Sequence, residues 1–448
     1  AGPLVAGINA FGFGGTNAHA VLEQAPASPP SAGAASTSPG AAREIPVEGP
    51  HLLTLSARSA GALRDAVDRL ATHLESRPGL REGDVCRTAS TAWDDGPHRL
   101  AVIADGDLRD RLAAIAAGTG GAARRAGAGG ASGCAGTDSG GRRAGTGGSG
   151  VPGASVVRSR PRVVFLFPGQ GAQSPGQNRV LYRTTSVFRD TFDEASALLG
   201  PVCGRPLLDW GLDPEVDPAA QAMTEVAQPL LVASGVALAR QLRTWGAEPE
   251  AVAGHSVGEI TAACVSGALT LREAVRFAAE RGRLMGAFTE PGAMLAVRGG
   301  EEAVAAAVAG SGGSVTVAAY NGPGLQVLSG TVSAVERAAL TLDAQGVPTR
   351  RLRVSRAFHS PLMRPVADRL ADAAGALAPR APSVPLMSTV TGGWQPVLDP
   401  QYLRDHAERP VLFGAAVERL AREGYDTFVE VGHGAVLSGS VRAATAVR

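Results

Sequence analysis

Residues 251–260 read AVAGHSVGEI, a short apolar run followed by a serine set between two glycines. The form GxSxG after a brief strand marks a tight strand-to-helix turn, on which a serine side chain is presented as a nucleophile. A strand entering a helix through such a turn belongs to an α/β architecture, so this stretch decides the fold class. Upstream, a helical pattern over roughly residues 219–245 leads into the strand AVA. Further back, VVFLF at 163–167 is the continuous apolar run of a buried parallel strand, and it passes at once into the glycine loop PGQGAQ. This order predicts a doubly wound sheet with a site at the glycine loop.

Downstream of the serine turn the pattern changes. Between residues 292 and 354 the stretches AMLAV, a helix at 300–309, VTVAAY, the turn NGPG, QVLSG, a second helix and TRRLRVS follow one another. That is βαββαβ, the ferredoxin-like order, inserted as a small subdomain, with its second helix expected to open on a capping box from Ser333 to Glu336. The chain then returns to the large module, which closes with the strand FVEV at 428–431.

Before the large module lie four further segments. Residues 1–26 are glycine-rich and strand-like, and 27–50 have the Pro/Ala/Ser composition of a linker. Residues 51–118 return to a globular pattern, with strands HLLTLSA and RLAVIA among three helices, and predict a small α/β domain. Residues 119–160 hold almost no large apolar side chains and are expected to form a mobile loop, because they bury too little surface to offset their ordering entropy. The large module therefore spans 161–448.

Composition narrows the function classes. All 42 basic residues are arginine and the formal net charge is +1. The arginine reflects biased coding more than a phosphate-binding surface, so no nucleic-acid partner is expected. Cys86, Cys134, Cys203 and Cys264 lie far apart with no CxxC pair, which predicts neither a metal site nor a disulfide framework. No signal segment or membrane-length apolar run is evident, so a cytoplasmic location and no membrane contact are expected.

Ser256 needs a base and two amide donors for a developing oxyanion. Among the eight histidines, His359 in SRAFHSPLM lies at a subdomain boundary that would face a cleft. His255 adjoins the serine but should point away from it on the turn. The N–H groups of Val257 and Gln170 are the candidate donors. In the helix LREAVRFAAERGRLMGAF, Arg281 falls among Leu271, Ala274, Ala278 and Met285, on the face that should be buried. A buried guanidinium needs an anion, which is either an unseen carboxylate of the protein or a carboxylate on the substrate.

Read together, FPGQGAQ, QPLLVASGVAL, GHSVGE, RGRLM, GAMLAV, NGP before VLSG, AFHSPLM and FVEVGHGAVL resemble the malonyl-CoA:acyl carrier protein transacylase family. The closest resemblance is to the acyltransferase domain of a modular type I polyketide synthase. GFGGTNAHAVLEQAP resembles the last segment of a ketosynthase, and residues 51–118 the small domain linking the two.

The resemblance implies an α/β-hydrolase-like large subdomain carrying the ferredoxin-like insert, with Ser256 as nucleophile, His359 as base, Gln170 and Val257 as oxyanion donors, and Arg281, Phe358 and Asn321 at the substrate. It implies that the base is held by main-chain or amide oxygens near RDHAERPV, where His406 stands as the orienting residue. His19 would be a ketosynthase histidine separated from its partners. The implied reaction takes malonyl from malonyl-CoA to the phosphopantetheine thiol of an acyl carrier protein, with no bound cofactor and no metal. Neighbouring ketosynthase and other synthase domains would be its partners.

Two departures stand out. Arg356 occupies the place of the first histidine in the HAFH motif of malonyl-selective members, and is expected to point to the surface. The chain also ends soon after GHGAVL, as an excised piece would. A methylmalonyl-selective enzyme and a serine hydrolase or thioesterase of similar fold are the alternatives.

Overall fold

The computed structural model describes the backbones of Val5–Phe11 and Asn17–Glu23 and residues 50–91, 95–118, 154–157 and 160–446. The chain forms two units that divide between Pro50 and His51. In the first, the two short strands form an antiparallel hairpin in which His19 pairs with Asn9. The His19 side chain and the linker at 27–49 lie outside the described residues.

The second unit opens with an antiparallel sheet of His51–Ala57, His98–Ala104 and Ser155–Val156. Strict alternation along the first two strands sends Leu53, Leu55, Leu100 and Val102 into a core closed by Leu63, Val67, Leu108 and Leu112 of the covering helices. The third strand corrects the expectation of a loop running throughout 119–160. Ser155 and Val156 pair with Arg99 and His98, and the N–H of Val157 donates to Pro97. The β-branched Val156 and Val157 there favour an extended edge.

The large module is built on four parallel strands in the order Leu386–Met387, Ala251–Gly254, Val163–Phe167, Thr427–Glu430. Successive residues of the central strand serve opposite faces. Phe165 and Phe167 join Val252 and the helix Thr224–Thr244 in one core, while Val164 and Leu166 join Ala251, Phe413 and Val417 in the other. Burial on both faces is why VVFLF carries no polar alternation. The long helix starts at Thr224, not near 219, because Asp217 caps a separate turn, Pro218–Gln221.

The insert is ferredoxin-like in full. Its antiparallel sheet runs Val315–Gly322, Leu325–Gly330, Ala293–Arg298, Thr349–Arg351, with helices Glu301–Ala309 and Val332–Ala344 packed over it. The last strand is shorter than TRRLRVS suggested, and the capping box expected at Ser333 is absent. Thr331 is the N-cap there, so Ser333 already lies inside the first turn. A capping box opens the helix Leu271–Phe288 instead, between Thr270 and Glu273. The insert is tied to the body by reciprocal main-chain bonds, Tyr320 N–H to Val411 at 2.8 Å and Val411 N–H to Ala318 at 2.9 Å.

Candidate active site

The turn at Ser256 is as cramped as its sequence demands. A Cβ on Gly254 would enter the backbone of Gly258 and Glu259, and one on Gly258 would enter the carbonyl of Phe167. Ser256 itself is held at φ +52°, a left-handed conformation that costs a side-chain-bearing residue about 1–3 kcal/mol and recurs at functional sites. The glycine loop presses onto this turn, since a Cβ on Gly169 would lie 2.7 Å from the carbonyl oxygen of His255.

Gly258, Glu259 and Ile260 donate back into the turn, to His255, Ser256 and Val257. Among the described residues no such bond engages the N–H of Val257 or that of Gln170. The Gln170 side chain is anchored elsewhere, its Nε2 donating to the Ala222 carbonyl at 2.9 Å and its Oε1 accepting from Thr224 Oγ1 at 3.2 Å. The glycine loop and the serine turn therefore each leave one amide donor unspent.

Ser256 Oγ lies 2.7 Å from His359 Nε2, and His359 Nδ1 lies 2.9 Å from the Arg409 carbonyl oxygen. A carbonyl only accepts, so Nδ1 carries the proton and Nε2 is left bare to receive the serine's. Burial, with the positive charge of Arg281 beside it, pulls the His359 imidazole down to about 3, which keeps it unprotonated near neutrality. Like Ser256, His359 sits at positive φ, +56°. Both members of this hydrogen-bonded pair are held on strained backbone.

The orienting group is thus a main-chain oxygen of the RDHAERPV segment, and His406 is not the base's partner. His406 Nε2 donates instead to the Ser256 carbonyl at 3.0 Å, so it holds the backbone of the serine turn. Sequence names the segment; only the helix Pro400–Glu408, ending beside Arg409, decides which of its atoms meets which partner.

Asn321 Oδ1 accepts from His255 Nε2 at 2.8 Å and thereby joins the insert to the serine turn, while His255 faces away from the dyad as expected. Phe358 is buried in the core that also holds Leu284, Met285, Met294 and Met363. Arg356 is half-buried and forms no salt bridge among the described residues. Its Nη2 donates to the Gly286 carbonyl at 2.7 Å, at the end of the Arg281 helix, because the chain bridges back there from Arg356 to Pro291.

Arg281 is 2% exposed, on the buried face its spacing predicted. Its Nη1 donates to Gln228 Oε1 at 2.7 Å, and Nε and Nη2 have no partner. No carboxylate among the described residues forms a salt bridge with it. Gln228, which the sequence reading passed over, is held in turn by Thr224 Oγ1 at 2.7 Å. Its signal was a lone amide inside the apolar run of the helix Thr224–Thr244. Desolvation lowers the Arg281 guanidinium to about 10, still charged at neutral pH.

A strained serine bonded to a neutral histidine, two spare amides and a buried cation suit transfer of an acidic acyl group. Family comparison agrees: the "Acyl transferase domain" family matches residues 164–446. The chain belongs to the acyl transferase domain family. A second family, "CurL-like, PKS C-terminal", matches residues 51–112 of this acyltransferase chain. Over 98% of its length the acyltransferase is 38% identical to polyketide synthase GfsA of Streptomyces halstedii, of which it spans 6%.

Among solved structures, the acyl transferase domain of SpnD in complex with 2-(pent-4-yn-1-yl)malonyl superimposes with a TM-score of 0.72 at 32% identity, covering 88% of this chain and 87% of that one. An acyl carrier protein S-malonyltransferase from Vibrio cholerae matches at TM-score 0.58 and 32% identity, over 64% of this chain and 94% of its own. No metal-holding cluster and no helix long and apolar enough to cross a membrane occurs among the described residues.

Proposed function

We propose that this acyltransferase loads a malonyl unit from malonyl-CoA onto the phosphopantetheine thiol of an acyl carrier protein, through an ester on Ser256. The observation that carries the reading is Arg281, a buried cation with two unspent donors and no salt bridge to a carboxylate among the described residues. A guanidinium so placed offers a free-acid acyl group a charge-assisted pair. The malonyl derivative held by the SpnD domain, named above, is a ligand of that chemical class.

In the first half-reaction Ser256 Oγ attacks the thioester carbonyl while His359 Nε2 takes its proton. The N–H groups of Val257 and Gln170 receive the oxyanion. Collapse breaks the C–S bond, and the proton passes from His359 to the departing thiolate. The carrier thiol then reverses the sequence, giving its proton to His359 and attacking the ester carbonyl, and the proton returns to Ser256. His406 holds the serine backbone and Asn321 the neighbouring His255. Residues 1–26, with His19, are the last segment of a ketosynthase, and ketosynthase and other domains of the same synthase are the partners.

Phe358 beside the base favours malonyl over methylmalonyl, by about 10- to 200-fold if one methyl is at stake. Intact-protein mass spectrometry after mixing with equal amounts of malonyl-CoA and methylmalonyl-CoA tests both levels. Malonyl mass on wild-type protein and none on Ser256→Ala is expected. Loading of methylmalonyl at least equal to malonyl would refute the selectivity, and rapid loss of the acyl mass without a thiol acceptor would favour a hydrolase.

A further inference from the structure

Glu259 is 2% exposed and is the one acidic side chain among the buried described residues. It forms no salt bridge among the described residues. Its Oε1 bonds the hydroxyl of Tyr402, and Tyr402 Oη lies 2.7 Å from Ser388 Oγ. Its Oε2 lies 2.7 Å from Thr389 Oγ1, which lies 3.0 Å from the Gly254 carbonyl oxygen. These are four oxygen-to-oxygen hydrogen bonds in a row, and each needs one proton. Ser388, Tyr402 and Thr389 supply one apiece, and the Gly254 carbonyl supplies none.

The fourth proton can come only from the carboxyl group. With it present, a complete set of directions exists, in which Oε2 also accepts from the Thr389 N–H at 2.9 Å. Ser388 Oγ accepts from the N–H groups of Val390 and Thr391, both at 3.0 Å, which frees its own proton for Tyr402. Tyr402 donates to Glu259 Oε1, Glu259 donates from Oε2 to Thr389, and Thr389 donates to Gly254. If the carboxyl were ionised, one bond of the row would join two lone pairs in a dry interior, which is costly.

We infer that Glu259 is held as a neutral carboxylic acid whose proton completes this row, and that the row is a positioning device for the reacting pair. Gly254 and Glu259 flank Ser256 on the turn. Tyr402 stands on the helix whose His406 reaches the Ser256 carbonyl and whose flanking Arg409 holds His359. One row of protons therefore ties the nucleophile's turn to the support of its base. Burial, opposed by the two Thr389 bonds, raises the carboxyl to about 7, in the same direction.

The positioning half of this inference rests on the acyl-transfer reading; the protonation half does not. Infrared difference spectra of wild type against Glu259→Gln, in mildly acidic and neutral buffer, should show the carbonyl band of a neutral carboxylic acid in wild type alone. A carboxylate pair of bands in its place would overturn the inference whether or not the protein transfers any acyl group. Tyr402→Phe, which removes one donor and leaves the acid, should shift the same band, and serves if Glu259→Gln does not fold.

For positioning, Glu259→Ala should slow single-turnover malonylation of Ser256 about 100-fold at saturating malonyl-CoA, as a displacement of about 1 Å would, with little change in the half-saturating concentration. Glu259→Gln, neutral and of the same shape, should restore most of that rate. Equal losses in both variants, or a loss confined to half-saturation, would overturn the positioning role.

Discussion

Arg281 is buried with more hydrogen-bonding capacity than its surroundings use, and that imbalance is what a substrate carboxylate would correct. Arg281→Ala should therefore change preference as well as rate: malonyl loading should fall by at least two orders of magnitude, while acetyl loading holds or rises. Competition between malonyl-CoA and acetyl-CoA, read as acyl-enzyme masses, checks it, and an equal fall for both would make the arginine structural. Arg281 was legible because helical spacing set a charge among apolar neighbours, and Ser256 because the glycines around it leave one backbone path. Gln228 and the carbonyl of Arg409 were not. An amide and a main-chain oxygen acquire their roles from the fold, since neither residue type signals them. His406 shows the same limit, its segment foreseen and its bond to the Ser256 carbonyl not.

Elements carry consequences that single residues do not. The helix Leu271–Phe288 is pinned at its start by the Thr270 capping box and at its end by Arg356, and Arg281 lies between. A cation on the last turn's carbonyls meets the negative end of the helix dipole. Arg356→Ala should cost about 1–2 kcal/mol of stability, seen as a lower denaturation midpoint. Arg356→His should leave the malonyl to methylmalonyl ratio nearly unchanged, because Arg356 Nη2 is engaged by the Gly286 carbonyl at the end of the helix. A marked shift in that ratio would mean that the end of this helix sets the pocket. The insert was readable as βαββαβ because its periodicity switches cleanly between strand and helix. Its last strand was overread, since TRRLRVS alternates as a strand would although pairing stops at Arg351.

At the scale of the molecule, buried histidines set the acid side of stability. His359 is lowered to about 3 and His433 to about 4 from an ordinary 6.5, and His255 and His406 are lowered as well. A histidine kept neutral by folding contributes stability above its unfolded value, and loses it as pH falls through the window from 6.5 toward the folded one. Glu259, raised to about 7 from 4.5, acts oppositely, losing stability as pH rises through that interval. Four groups oppose one, so the thermal midpoint should fall as pH is lowered from about 7 to about 4. A midpoint constant over that range would mean that these imidazoles are solvated.

The parallel sheet has a further consequence, for synthesis. Val163–Phe167 gains its last neighbour from Thr427–Glu430, a strand made 264 residues later, and the ferredoxin-like insert is translated in between. While the ribosome completes that stretch, the strand feeding the glycine loop has one open, apolar edge. Such an edge recruits other chains until it is closed. A nascent chain arrested before Thr427 should therefore aggregate or bind holdase chaperones, whereas release of the last strand should make it soluble in one step. The serine turn is thus synthesised well before the strand that completes its sheet.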